Sequence, residues 1–69
     1  MPTIHLYWLE GRSATAREKV ASALAEAVAS VSEAMARKEH VDVWFFDIPV
    51  GHLYSGGKAL SAPLPVSKQ

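Results

Sequence analysis

A long stretch of helical periodicity separates two short strand-like runs, and that order leaves a chain of 69 residues few ways to fold. From Ala14 to about Ala36, the residues Val20, Leu24, Ala27, Val28, Val31 and Met35 recur at spacings of three and four. Such spacing puts them on one apolar stripe of a helix, with Met35 as packing. Lys19, Ser22, Glu26, Ser30, Glu33 and Arg37 fall on the wet side. The many alanines favour helix and let it lie close on a sheet. Ser13 suits the N-cap, although Ala16 stands where a Glu or Gln would complete a capping box.

Thr3 to Leu9 (T-I-H-L-Y-W-L) is rich in β-branched and aromatic residues and reads as the first strand. Ile4, Leu6 and Trp8 share one face, with His5 on the other. In the second strand, Val41 to Asp47 (V-D-V-W-F-F-D), Val41, Val43 and Phe45 take one face and Asp42, Trp44 and Phe46 the other. A strand, a long helix and a strand predict a parallel, right-handed unit. Both faces of the second strand carry large apolar groups, so both are expected to be covered. The helix covers one, and no second cover exists within the chain, which points to a neighbouring subunit. Hydrophobic residues make up 49% of the sequence, yet a domain this short hides only about 60% of its unfolded surface. The sequence has no cysteine for a disulfide or thiolate site, and His5, His40 and His52 are too widely spaced for a local metal motif. Oligomerisation is therefore the expected support.

After Pro49, the run G-H-L-Y-S-G-G from Gly51 to Gly57 predicts a small hairpin or irregular loop. Pro63 and Pro65 bar helix and regular pairing in Ser61 to Gln69. We read one domain over residues 1–69, with 58–69 as an extended tail or arm. Seven basic residues balance seven acidic ones without a block of either sign, so neither a nucleic-acid nor a membrane partner is expected. The start lacks a basic segment and cleavage pattern, and the longest apolar run, Val43 to Phe46, is far too short to span a bilayer. A cytoplasmic protein is expected.

Pro2 directly follows the initiator methionine. A small second residue favours removal of Met1, which leaves Pro2 as a free secondary amine able to act as base, acid or nucleophile. Pro2 opens a strand, E-G-R-S at Glu10 to Ser13 opens the helix, and G-H-x-x-x-G-G at Gly51 to Gly57 follows the second strand. This ordered set, covering roughly Pro2 to Gly57, resembles the 4-oxalocrotonate tautomerase family. The resemblance implies an α/β fold: a β-α-β subunit with a short C-terminal hairpin. It further implies that two subunits join their sheets into a four-stranded layer, and that the homo-oligomer is a hexamer, a trimer of dimers. Sites are then built from several subunits, without cofactor or metal. Pro2 is implied as the general base for 1,3- or 1,5-keto–enol proton transfer on a small unsaturated 2-oxo or 2-hydroxy acid. Arg12 is implied to hold a substrate carboxylate, which a guanidinium can do through two parallel hydrogen bonds. Leu9 and Trp44 match positions that line the pocket.

Two positions depart from the family pattern. Asp42 stands where the second family arginine would be, and Leu53, beside Tyr54, stands where the hairpin aromatic would be. Arg37 or Lys38, in the connection before the second strand, are alternative sources of a cation. If Asp42 lies by the pocket, its carboxylate favours the charged form of Pro2, weakening a base and strengthening an acid. It also repels a dicarboxylate, so a substrate less anionic than 4-oxalocrotonate is expected. The competing reading turns Asp42 to solvent at a strand end. Trp44 and Arg12 likewise have structural readings, as a core residue and an exposed turn residue. His52 is expected to be structural, and nothing in their spacing requires Glu10 and Asp47 to meet. Sister reactions (hydration, dehalogenation or decarboxylation) stay open, with Ser55 weighing against dehalogenation. A non-catalytic oligomer with the same fold also stays open.

Overall fold

The computed structural model describes residues 2–60. The first strand, β1 (Thr3–Leu9), leads through a turn into the helix α1 (Ala14–Ala29), and the second strand, β2 (Asp42–Ile48), returns beside β1. The two strands are parallel and in register from Thr3↔Asp42 to Leu9↔Ile48. Ser13 caps the helix as its sequence suggests: its hydroxyl oxygen accepts from the Ala16 amide at 3.1 Å.

Alternation along the strands produces two different faces. Ile4, Leu6 and Trp8 stand opposite Val43, Phe45 and Asp47, and all but Asp47 are at least partly covered. On the other face Tyr7 and Trp44 are 61% and 58% exposed. Phe46 lies between two neighbours there, stacked on Tyr7 at 4.7 Å and edge-on to His5 at 5.3 Å. Among the described residues only Ala16 and Ala25 are buried.

The helix is shorter than its periodicity predicts. It stops at Ala29, not Ala36. The Ser30 hydroxyl donates back to the Ala27 carbonyl at 2.7 Å, and the Val31 amide bonds to the Val28 carbonyl three residues back. Val31 is extended, at φ −97° and ψ 108°. A β-branched residue after such a serine can leave a helix at small cost, because the Ser30 hydroxyl satisfies a helix-end carbonyl locally. Single-turn 3-10 segments at Ser32–Ala34 and Lys38–His40 fill the connection. Met35 between them is left-handed (φ 52°) and 90% exposed. Val31 and Met35 are therefore not core residues, and Ala27 is exposed as well. Ala16, Val20, Leu24, Ala25 and Val28 make the covered stripe instead.

Beyond β2 a small antiparallel hairpin pairs β3 (Tyr54–Ser55) with β4 (Lys58–Ala59). Gly56 and Gly57 both have positive φ, at 61° and 81°, as a tight primed hairpin turn requires. Lys58 and Ala59 thus belong to the hairpin, and the arm expected from Ser61 to Gln69 lies outside the described residues. No helix among the described residues is long and apolar enough to cross a membrane.

Candidate functional site

The parallel pair has two ends, and the candidate residues are divided between them. At the first, Pro2 precedes β1 and its carbonyl accepts from the Asp42 amide at 3.0 Å. Asp42 opens β2, exposed, and Trp44 follows two residues on, opposite His5 on the open face. The sheet therefore sets the Asp42 backbone beside Pro2, with Trp44 further along β2 opposite His5. Lys38 turns away from them: its ammonium pairs with Glu26 of the helix at 3.3 Å.

Leu9 and Arg12 belong to the opposite end. Leu9 closes β1 opposite Ile48, and the half-buried Arg12 folds back so that its Nη1 donates to the Leu9 carbonyl at 2.7 Å. A seven-residue strand lies between the two ends, a span of roughly 20 Å at about 3.3 Å per residue. Within one chain Pro2 and Arg12 cannot grip the same small molecule. Leu53 sits apart from both ends, half-buried at the base of the hairpin, where its carbonyl accepts from the Leu60 amide at 2.8 Å.

Arg12 has neighbours that the sequence alone did not single out. Its guanidinium carbon lies 4.7 Å over the Trp8 ring. The Trp8 indole N–H donates to Asp47 Oδ1 at 2.6 Å, and Arg17 Nη1 approaches Asp47 Oδ2 at 3.6 Å. Arg17 Nη1 also donates to the Arg12 carbonyl at 3.2 Å. Asp47 is thus bonded to Trp8 and Arg17, whereas Glu10 Oε2 accepts from the Val50 amide at 3.0 Å. In sequence Trp8 and Asp47 are 39 residues apart, and only the register of the parallel pair makes them neighbours.

No family model and no curated protein matches the chain. Solved structures do. An apo unfused 4-OT is 30% identical and superposes with a TM-score of 0.76 over 86% of this chain and 93% of its own. A 4-oxalocrotonate tautomerase isozyme from Methylibium petroleiphilum is 29% identical, with a TM-score of 0.74 over 84% and 90% of the two chains. The chain belongs to the 4-oxalocrotonate tautomerase family. Membership supports a tautomerase-superfamily function and an isomerase type of activity. A 4-oxalocrotonate tautomerase fold that uses both residues has to draw them from different chains.

Proposed function

We propose that this protein is a tautomerase in which Pro2, freed by removal of Met1, is the general base for keto–enol proton transfer on an unsaturated 2-oxo or 2-hydroxy acid. The observation that supports this most is the place of Pro2. It heads β1 of a 4-oxalocrotonate tautomerase fold, joined through its carbonyl to the first residue of β2. The amine takes a proton from one carbon or hydroxyl of the substrate and returns it to another, so no cofactor or metal is needed. Arg12 of a neighbouring subunit holds the substrate carboxylate, and Leu9, Trp44 and Leu53 line the pocket. The assembly is a homo-oligomer, a hexamer by family resemblance. Its interfaces cover the open sheet face bearing Tyr7, Trp44 and Phe46.

Asp42 adapts this site to a less anionic substrate. Its backbone is fixed beside Pro2, in the place of a family arginine that would have held further substrate oxygens. A carboxylate there gives a second substrate carboxylate no partner and repels it.

The test is the rate of enol-to-keto conversion of phenylenolpyruvate by Met1-processed protein and its Pro2→Ala variant. A positioned general base contributes about 10²–10⁴-fold; the variant keeps a primary amine at the chain end, so a loss toward the lower end of that range is expected. A wild-type rate no faster than buffer, in a folded oligomer, would sink the reading and favour a sister reaction or a non-catalytic role.

A further inference from the structure

Asp47 is a carboxylate on the face of β2 that otherwise carries Val43 and Phe45 toward the helix. Both of its oxygens have partners: Trp8 Nε1 on Oδ1 and Arg17 Nη1 on Oδ2. The same two partners touch Arg12, Trp8 through its ring face and Arg17 through the Arg12 carbonyl. The Arg12 guanidinium, Trp8, Asp47 and Arg17 follow one another in a chain that closes through the Arg12 backbone carbonyl, so that Trp8 bears on the guanidinium and Arg17 on the main chain of the turn. Phe45 stacks on Trp8 with ring centroids 5.1 Å apart, which further fixes the indole.

Stability does not account for this loop. The Arg17–Asp47 pair is more than one-third exposed on both sides, and exposed pairs contribute little. Its consequence is geometric. Arg12 has five N–H donors in a planar fork; Nη1 is tied to the Leu9 carbonyl and the plane is carried near the indole. The remaining donors then have a set direction, whereas an untethered arginine side chain would lose considerable rotamer freedom on binding a carboxylate.

We propose that Asp47, acting through Trp8 and Arg17, is a positioning residue that aims Arg12 at the substrate carboxylate. Arg17, held by this carboxylate, serves the loop and is not a second substrate-binding cation. The inference rests on the tautomerase reading for its kinetic test, and a spectroscopic test stands independently of it.

The variants are Asp47→Asn, which keeps an acceptor for the indole but removes the charge facing Arg17, and Trp8→Phe, which keeps a ring but removes the anchoring N–H. With phenylenolpyruvate, Asp47→Asn is expected to raise KM about tenfold with kcat within about twofold, because an aiming defect weakens binding and not proton transfer. Trp8→Phe should move KM the same way, and Asp47→Glu should restore much of the loss. In an Arg12→Ala background Asp47→Asn should add nothing, since a residue acting through Arg12 cannot act without it. An unchanged KM, a loss confined to kcat, or an equal loss without Arg12 overturns the proposal. Should wild-type protein show no turnover, the tautomerase reading fails and the spectrum decides this one. The Arg12 Nε–H resonance, expected to be displaced by the Trp8 ring in wild type, should return toward the position of a free arginine in Asp47→Ala, which removes the acceptor for the indole as well as the charge; a resonance that stays put overturns the proposal.

Discussion

Mixing two inactive variants tests whether sites are shared between chains. Pro2→Ala exchanges the proposed secondary-amine base for a primary amine, and Arg12→Ala removes the proposed carboxylate clamp. Productive geometry needs reacting groups about 3–3.5 Å apart, whereas the seven residues of β1 put roughly 20 Å between these two positions. The Arg12 side chain does not shorten that distance, because it is turned back onto the Leu9 carbonyl at 2.7 Å. Each variant refolded alone should therefore be nearly inactive. Refolded together in equal amounts, half of the chains carry Pro2 and half carry Arg12. A site that takes the two residues from different chains of a randomly mixed oligomer then has both in about a quarter of cases. Close to a quarter of the wild-type phenylenolpyruvate rate should return, with native mass spectrometry confirming that mixed oligomers formed. A mixed sample no more active than the two variants measured separately would refute the shared site.

Three further outcomes are expected. Asp42→Arg should raise turnover of a dicarboxylate such as 4-oxalocrotonate about tenfold, the effect of one well-placed charge contact worth about 1.4 kcal/mol; an unchanged kcat/KM in an intact oligomer would place Asp42 outside the site. Phe46→Glu puts a charge between Tyr7 and His5 on the open face, and sedimentation should show loss of assembly, while an oligomer as stable as wild type would mean that this face is not an interface. Ser13→Ala removes the oxygen that accepts from the Ala16 amide; a cap of this kind is worth about 1 kcal/mol, so Tm should fall by roughly 4–8 °C, and an unmoved Tm would show that the cap does not hold the helix.

The parts of the fold that were legible in the sequence rest on local chemistry. Alternation grouped Ile4, Leu6 and Trp8 on one face of β1 and Val43 and Phe45 on one face of β2, and Ser13 marked the helix start because a hydroxyl satisfies an orphan amide there. The end of the helix was not legible, since Val31 and Met35 continue an apolar spacing that the chain does not use. What decides the matter is the back-bonding of Ser30 and the extended backbone of Val31, and both compete with periodicity over a few residues. Among the candidate residues, the nearness of Pro2 to Asp42 followed from parallel pairing. The loop around Arg12 did not, because a tryptophan and an aspartate 39 residues apart carry no sequence signal until the register is known.

One structural fact links the thin core to the divided site. A single β-α-β layer leaves one sheet face open and only Ala16 and Ala25 buried among the described residues, so the chain has little to hold it together alone. The same layer places Pro2 and Arg12 at opposite ends of one strand, so the chain cannot assemble the proposed chemistry alone. On the proposed reading, association answers both needs with the same contacts. A neighbour that covers Tyr7, Trp44 and Phe46 also brings its own strand ends into reach. Stability and activity should therefore be lost together on dilution, at one protein concentration. Activity that persists in a dissociated, folded monomer would break that link and return the proline chemistry to a single chain.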